Sequence, residues 1–416
     1  MRNIFDQYSQ SENRVTHALM TALNEDRKLL AFFLRELVKV NAPTDPSKLL
    51  VLEQKYPDKD EEPSEDDLER RGIPDGWIFD NDGWCVFIES KVIAKLEADQ
   101  INRHRSTAEH LGFQSVTAVA IAPVPVLSTF FPEGTVLLEW RKVYAWLCKH
   151  GVTSKWARAA ADYLEIVEAK LIDTEQFVEG SLTMFSGFPF GRNHRFTYLE
   201  GKRVLKLAIG ELRGREELKQ LGVTTAPGRA ITDDGDYVWD ILWLVTASEQ
   251  DKFTRYPHLT LGIGSDAMVT VPNAVKGVTR PNLVKLGEQH FQALAGEIVN
   301  NMKPLLREKD GPTPCFRGVQ RRWPSRKAAL FVDAEIMFDL RTAIPESGPP
   351  KMQQRRWLSA AYDSFVNREK SNYEIQMGAL FSYQRCPELR QADAIDWLVR
   401  AWCACKPLVD LTGQVA

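Results

Sequence analysis

The segment Ile73–Val92 constrains the fold more than any other part of the chain. It contains two apolar runs separated by Asn81-Asp82-Gly83. Glycine at the third position of such a loop is typical of a β-hairpin in which a type I turn is followed by a residue in the left-handed backbone conformation. The second run, Trp84–Ile88, is apolar at every position, which indicates a strand that is buried on both faces. The sequence therefore predicts a β-hairpin whose second strand is central in a sheet.

The register of this hairpin brings three ionisable side chains together. If the loop pairs Asp80 with Trp84, continued pairing places Asp75 opposite Glu89, with Cβ atoms about 5 Å apart on one side of the sheet. Lys91 follows on that side because side chains alternate along a strand. Two carboxylates this close repel each other unless a charge neutralises them. A hard divalent cation, Mg²⁺ or Mn²⁺, would do so through the carboxylate oxygens.

A metal ion and a lysine in one place favour phosphodiester hydrolysis. Both can lower the pKa of an attacking water and stabilise the charge that develops on the phosphorus. The same spacing also fits an ordinary half-buried hairpin with a surface cluster of Asp75, Glu89 and Lys91. Because the predicted strand is apolar on both faces, its charged residues need partners, which favours the functional interpretation.

Two predicted helices direct further polar side chains towards the hairpin. The helical pattern of Ser11–Val40 is expected to be interrupted or turned at Asn24-Glu25-Asp26. Within it, Glu12 shares a face with Leu19 and Leu23, so it points into the protein. In the helix predicted for Ala94–Leu111, Gln100 shares a face with apolar residues and with His104. We therefore expect Glu12 and Gln100 to converge on the site.

Pro74-Asp75 followed by Glu89-Ser90-Lys91 resembles the signature of the PD-(D/E)XK nuclease superfamily, which has the restriction-endonuclease-like fold. The resemblance covers roughly residues 5–150 and implies an α-β-β-β-α-β core. It implies Asp75 and Glu89 as metal ligands, Glu12 from the first helix as a third, and Lys91 as the residue that positions or activates water. Gln100 corresponds to a glutamine found in several branches, in which a tyrosine often follows where this chain has His104.

A chain of 416 residues is too long for one ordinary core, so we expect two domains. The segment Gly180–Arg192, rich in Gly, Ser, Phe and Pro, is the candidate boundary. Residues 1–180 form the predicted α/β nuclease domain. Residues 181–416 form a second, mixed α+β domain, and the sequence patterns do not determine the order of its strands. In the second domain the patterns predict strands at Arg203–Leu212, Tyr237–Thr246 and Leu259–Val271.

Charge is divided unevenly between these domains. Residues 1–180 contain 21 Lys and Arg against 30 Asp and Glu, a net charge of −9, which leaves +6 for the rest of a chain whose total is −3. A basic half suits a polyanionic partner. Basic residues near tryptophans are the candidates for nucleic-acid binding: Arg317, Arg321, Arg322, Arg326, Lys327, Arg355 and Arg356. A solvated basic loop would explain them equally well.

Other functional classes find little support in the sequence. No apolar run approaches the roughly 18 residues of a membrane span, and the N-terminus lacks a signal-peptide pattern, so we expect a cytoplasmic protein without membrane contact. The six cysteines form no Cys-x-x-Cys pair, which argues against a zinc site.

Two functional hypotheses follow from the sequence. The first is a Mg²⁺-dependent nuclease that acts on DNA in restriction, phage defence or DNA processing. The second is a catalytically silent, nuclease-like protein that binds nucleic acid or acts as a sensor. A protein partner or a second copy of the chain is a further candidate ligand for residues 181–416.

Overall fold

The computed structural model divides the chain into two compact units, Met1–Met184 and Phe185–Ala416. The boundary predicted from the sequence, between residues 180 and 181, lies four residues earlier. The residues described are 4–8, 10–42, 45–57, 72–174, 180–224, 232–233, 236–244, 256, 258–274, 277–306, 310–322, 331–344, 352–367 and 372–413. No helix in these ranges is long and apolar enough to cross a membrane.

The first unit is a mixed α/β structure built on a five-stranded sheet. Its elements are α1 (Ser11–Glu25), α2 (Arg27–Phe32, continued by a π-helical segment at Phe33–Val38), β1 (Leu50–Glu53), β2 (Gly76–Phe79), β3 (Trp84–Ser90), α3 (Ala98–His110), β4 (Ser115–Ala122), β5 (Thr135–Glu139), α4 (Trp140–His150) and α5 (Lys155–Asp173). The strands lie in sequence order. β1, β2 and β3 pair antiparallel, whereas β4 and β5 run parallel to β3.

Both faces of this sheet are covered, as the apolar run of β3 predicts. Ile78, Val86 and Ile88 pack in one core with residues of α1, α2, α4 and α5. Trp77 and Phe87 point to the opposite face, where they pack with residues of α3. The carboxyl ends of β3, β4 and β5 meet at one edge of the sheet, because these strands are parallel.

The first predicted helix is interrupted where the sequence indicates. α1 ends at Glu25, and the Asp26 side chain accepts hydrogen bonds from the backbone N–H groups of Lys28 and Leu29, both at 3.1 Å, which starts α2. A capping carboxylate of this kind satisfies N–H groups that have no partner inside the helix. The prediction of an interruption at Asn24-Glu25-Asp26 is confirmed.

The second unit is built on a seven-stranded sheet in which all described pairings are antiparallel. Its strands are β6 (Thr232–Asp233), β7 (Val238–Trp243), β8 (His258–Ile263), β9 (Ala267–Ala274), β10 (Thr313–Arg322), β11 (Phe331–Asp339) and β12 (Tyr373–Phe381). Their order is β11-β10-β12-β9-β8-β7-β6. Its helices are α6 (Tyr198–Arg213), α7 (Glu216–Gln220), α8 (Arg280–Leu286), α9 (Glu288–Met302), α10 (Leu340–Ala343), α11 (Met352–Val366), α12 (Ala394–Ala404) and α13 (Lys406–Gly413).

Two strand predictions in this unit are wrong. Arg203–Leu212 lies inside helix α6, where the buried side chains of Val204, Ala208 and Leu212 recur at helical spacing. Leu259–Val271, predicted as one strand, is divided between β8 and β9 by a turn in which Gly264 N–H donates to Asp266 O at 3.0 Å.

Candidate active site

The hairpin has the register that its loop predicts. Trp77 pairs with Phe87, and Asp80 N–H donates to Trp84 O at 3.1 Å. Gly83 has φ of 93°, in the left-handed region that a residue without Cβ adopts at little cost. Asp75 directly precedes β2, and the same register puts it opposite Glu89 near the end of β3.

Asp75 is held by the last residue of β3. Its Oδ2 accepts hydrogen bonds from the backbone N–H of Ser90 at 2.7 Å and from the Ser90 hydroxyl at 3.2 Å. The Ser90 hydroxyl also contacts the hydroxyl of Thr16 on α1. Burial and the negative charge of Glu89 raise the pKa of the Asp75 carboxyl from 3.8 to about 7. The two carboxylates therefore repel each other in the metal-free protein.

Glu89 is 1% exposed and lies between two cationic or proton-donating groups. Lys91 Nζ is 2.8 Å from Oε1, and His104 Nε2 on α3 is 3.1 Å from Oε2. Lys91 Nζ forms an ion pair with Oε1, and this buried oxygen has no further polar partner among the described residues. One oxygen of Glu89 is thus available to a further ligand.

Two other elements fix the main chain of Lys91. Its N–H donates to Ile121 O on β4 at 2.9 Å, and its carbonyl accepts from Trp140 Nε1 on α4 at 3.0 Å. Burial alone would lower the pKa of the Lys91 ammonium, but the nearby carboxylates, Glu89 foremost, raise it above its ordinary value. The side chain therefore carries a positive charge at neutral pH.

Glu12 reaches the hairpin as predicted, but its contacts are with main-chain groups. Its Oε1 accepts from the N–H groups of Val92, Ile93 and Ala94 at 3.2, 3.1 and 2.9 Å. Burial would raise the pKa of this carboxyl, and the three N–H donors lower it below its ordinary value. Helix α3 begins at Ala98, four residues after the predicted start at Ala94. Only Oε2 of Glu12 remains for a metal ion.

Helix α3 contributes His104 to the site in place of the predicted Gln100. Gln100 is half-buried, and its side chain makes no hydrogen bond to the described residues. His104, one turn further on, is 1% exposed and contacts Glu89. Two features of the sequence point to His104. It lies on the inward face of the predicted helix, and a buried carboxylate such as Glu89 needs a hydrogen-bond donor.

The donor set suits a hard divalent cation. In the described residues, no group of three or more His, Cys, Asp or Glu side chains is arranged to hold a metal ion. Mg²⁺ needs fewer protein ligands than that, because it is commonly bound by one or two carboxylates and keeps several waters. Such a cation would offset both causes of the raised pKa of Asp75, which are burial and the negative charge of Glu89. It would also add positive charge beside the buried Oε1 of Glu89, which faces the Lys91 ammonium.

The predicted nucleic-acid-binding arginines are paired with carboxylates. On β10, Arg317 Nε lies 2.6 Å from Glu335, Arg321 is 3.2 Å from Glu374, and Arg322 is 3.1 Å from Asp333. Arg356 is exposed on α11, the side chain of Arg355 is outside the described set, and Arg326 and Lys327 lie outside the described residues. Each of the three β10 charges is thus largely balanced by a neighbouring strand.

Comparison with known proteins does not identify a family or a function for this site. No protein-family model matches the chain, and no curated protein is significantly similar to it in sequence.

Proposed function

We propose that this chain is a Mg²⁺- or Mn²⁺-dependent nuclease of the PD-(D/E)XK type, which hydrolyses phosphodiester bonds of DNA. The observation that carries the proposal is the opposed pair Asp75 and Glu89, with the Lys91 ammonium 2.8 Å from Glu89. A carboxylate pair in which burial and mutual repulsion together raise the pKa of Asp75 to about 7 is costly in a purely structural role.

The arrangement of the first unit supports this proposal. With α2 counted as a continuation of the first helix, the order α1, β1, β2, β3, α3, β4 is consistent with the α-β-β-β-α-β core that the sequence resemblance implies. The three residues of the signature lie at the edge where β3, β4 and β5 end. A substrate phosphate could reach side chains at this edge more easily than it could reach side chains in the middle of the sheet.

Each side chain has a distinct task under this proposal. Asp75 and Glu89 would hold the cation, with Oε2 of Glu12 as a third oxygen. When bound, the cation supplies positive charge that lowers the pKa of a water and stabilises the negative charge that develops on the phosphate. The protonated Lys91 stabilises the same charge by its own field and can donate a hydrogen bond to the water or to a phosphate oxygen. Ser90 orients Asp75 through two hydrogen bonds.

The test is cleavage of supercoiled plasmid by the full chain in Mg²⁺ or Mn²⁺, compared with EDTA. We expect nicked or linear DNA only with the metal, and none with Glu89→Gln, which keeps the size of the side chain. Asp99→Asn is the matched control, because Asp99 is an exposed carboxylate on α3. Parallel assays on duplex DNA, single-stranded DNA and RNA define the substrate. If Glu89→Gln cleaves as fast as the unaltered protein, the site assignment is wrong.

A catalytically silent nucleic-acid-binding or sensor protein is the second candidate. It is favoured by the three main-chain hydrogen bonds of Glu12, which leave one oxygen of that residue for a metal. This candidate predicts that the full chain retards DNA in a gel equally well with Mg²⁺ and with EDTA and does not cleave it.

A further inference from the structure

The two oxygens of Glu89 have different environments. Oε2 is 3.1 Å from His104 Nε2, whereas Oε1 contacts only the Lys91 ammonium. Both Glu89 and His104 are 1% exposed, so water does not compete for either contact. A hydrogen bond to a carboxylate in such a place is stronger than one at the surface.

The surroundings of His104 fix which nitrogen donates. An ionised carboxylate only accepts, so Nε2 must carry the proton that faces Oε2. Nδ1 is buried and has no hydrogen-bond partner among the described residues, which suits an unprotonated nitrogen better than an unsatisfied N–H. The ring packs edge-on against Phe87. On another side it lies close to the Gly72 backbone, where an added Cβ would come within 3.2 Å of Cε1. The imidazole is therefore held in one orientation with Nε2–H towards Glu89.

We propose that His104 is a positioning residue which commits Oε2 of Glu89 to a hydrogen bond and leaves Oε1 alone for the cation, so that the site selects Mg²⁺ over Ca²⁺. This inference rests on the proposed metal site. Ca²⁺ takes six to eight oxygens and often both oxygens of one carboxylate, whereas Mg²⁺ takes six and keeps several waters. A carboxylate with one oxygen occupied serves Mg²⁺ well and deprives Ca²⁺ of a ligand.

Direct binding measurements test the inference without any need for turnover. Mg²⁺ and Ca²⁺ are titrated calorimetrically into the full chain and into His104→Leu, which removes the donor. Loss of a partner that orients a metal ligand typically costs about 10- to 100-fold in metal affinity. We expect His104→Leu to bind Mg²⁺ about 10-fold more weakly. Its Ca²⁺ affinity should be unchanged or higher, because the hydrogen bond that held Oε2 of Glu89 is then absent and this oxygen can join Oε1 as a ligand.

Three further variants separate positioning from general damage to the fold. His104→Gln places an amide N–H near the former Nε2, so it should stay within about threefold of the unaltered protein for both ions. His104→Asn keeps a polar side chain that is too short to reach Glu89, and it should behave like His104→Leu even if leucine disturbs folding. Thr107→Val is the matched control, since Thr107 is buried on α3 and its hydroxyl donates to Arg103 O at 3.0 Å.

The outcomes distinguish this inference from the proposed function. If the unaltered chain binds neither ion, the metal site is wrong and the inference fails with it. If the chain binds Mg²⁺ and the His104→Leu and His104→Asn variants lose both ions equally, or lose neither, the metal site stands and the selectivity role of His104 is refuted.

Discussion

Replacing Asp75 with asparagine should stabilise the metal-free protein at alkaline pH while abolishing metal-dependent activity. The amide oxygen of asparagine can still accept the Ser90 N–H that now lies 2.7 Å from Oδ2. The substitution removes the negative charge that faces Glu89. Because burial and Glu89 raise the pKa of Asp75 from 3.8 to about 7, folding favours its protonated form. The unaltered protein therefore loses stability as the pH rises from about 4 to 7, and Asp75→Asn does not.

The size of the effect follows from this pKa shift. A rise of about 3 units corresponds to about 4 kcal/mol between pH values well below and well above the two pKa values. Between pH 5 and pH 8 the advantage of Asp75→Asn over the unaltered protein should grow by about 2 to 3 kcal/mol. We expect this figure as an upper limit, because the structure can relax around a single buried charge.

Urea unfolding in EDTA at pH 5 and pH 8 measures this difference. Only the transition of the first unit should move, and Asp99→Asn should show no such trend. Adding Mg²⁺ at pH 8 should stabilise the unaltered protein by mass action and leave Asp75→Asn almost unchanged. If Asp75→Asn is less stable than the unaltered protein at pH 8 in EDTA, the two carboxylates do not repel each other as described.

Three further predictions concern the surrounding charges. Glu12→Ala should speed hydrogen exchange of the amides at residues 92–94 and lower the rate of DNA cleavage. Its Mg²⁺ affinity, measured by calorimetry, should fall less than that of Asp75→Asn. An equal fall would make Glu12 an obligatory ligand. Lys91→Ala should reduce turnover by about 10²- to 10³-fold while a Mg²⁺ titration shows binding retained; loss of binding would contradict the division of roles. Arg317→Ala combined with Arg322→Ala should change DNA affinity by less than about threefold, because carboxylates already balance both charges. A larger loss of affinity in gel-shift titrations, with a flatter salt dependence, would show that the two arginines contact phosphates.

The first unit was predicted well because its signals are local. The loop Asn81-Asp82-Gly83 sets the hairpin register without reference to distant residues. The inward faces of α1 and α3 were also correct, and they bring Glu12 and His104 to the hairpin. Which atom each of these side chains contacts depends on tertiary packing, so Gln100 was chosen where His104 makes the contact.

The second unit was predicted poorly because its strands depend on distant partners. β10 contains Pro314, Gly318 and three arginines, a composition that suits a basic loop. It becomes a strand by pairing with β11 on one side and β12 on the other. The acidic residues that balance its arginines are 11 to 53 positions further along the chain, from Asp333, which pairs with Arg322, to Glu374, which pairs with Arg321. A reading of local composition could not place those ion pairs.

The anchoring of Lys91 has a consequence for protein synthesis. Its backbone is held by Ile121 and Trp140, which the ribosome adds 30 and 49 residues later. At about 5 to 20 residues per second, several seconds pass between the appearance of Lys91 and that of its last anchor. Throughout that interval Asp75 and Glu89 already exist in the nascent chain, but the lysine has no fixed position beside them. A fragment that ends before residue 140 therefore lacks one of the two groups that hold the Lys91 backbone, and the proposed site would be incomplete in it.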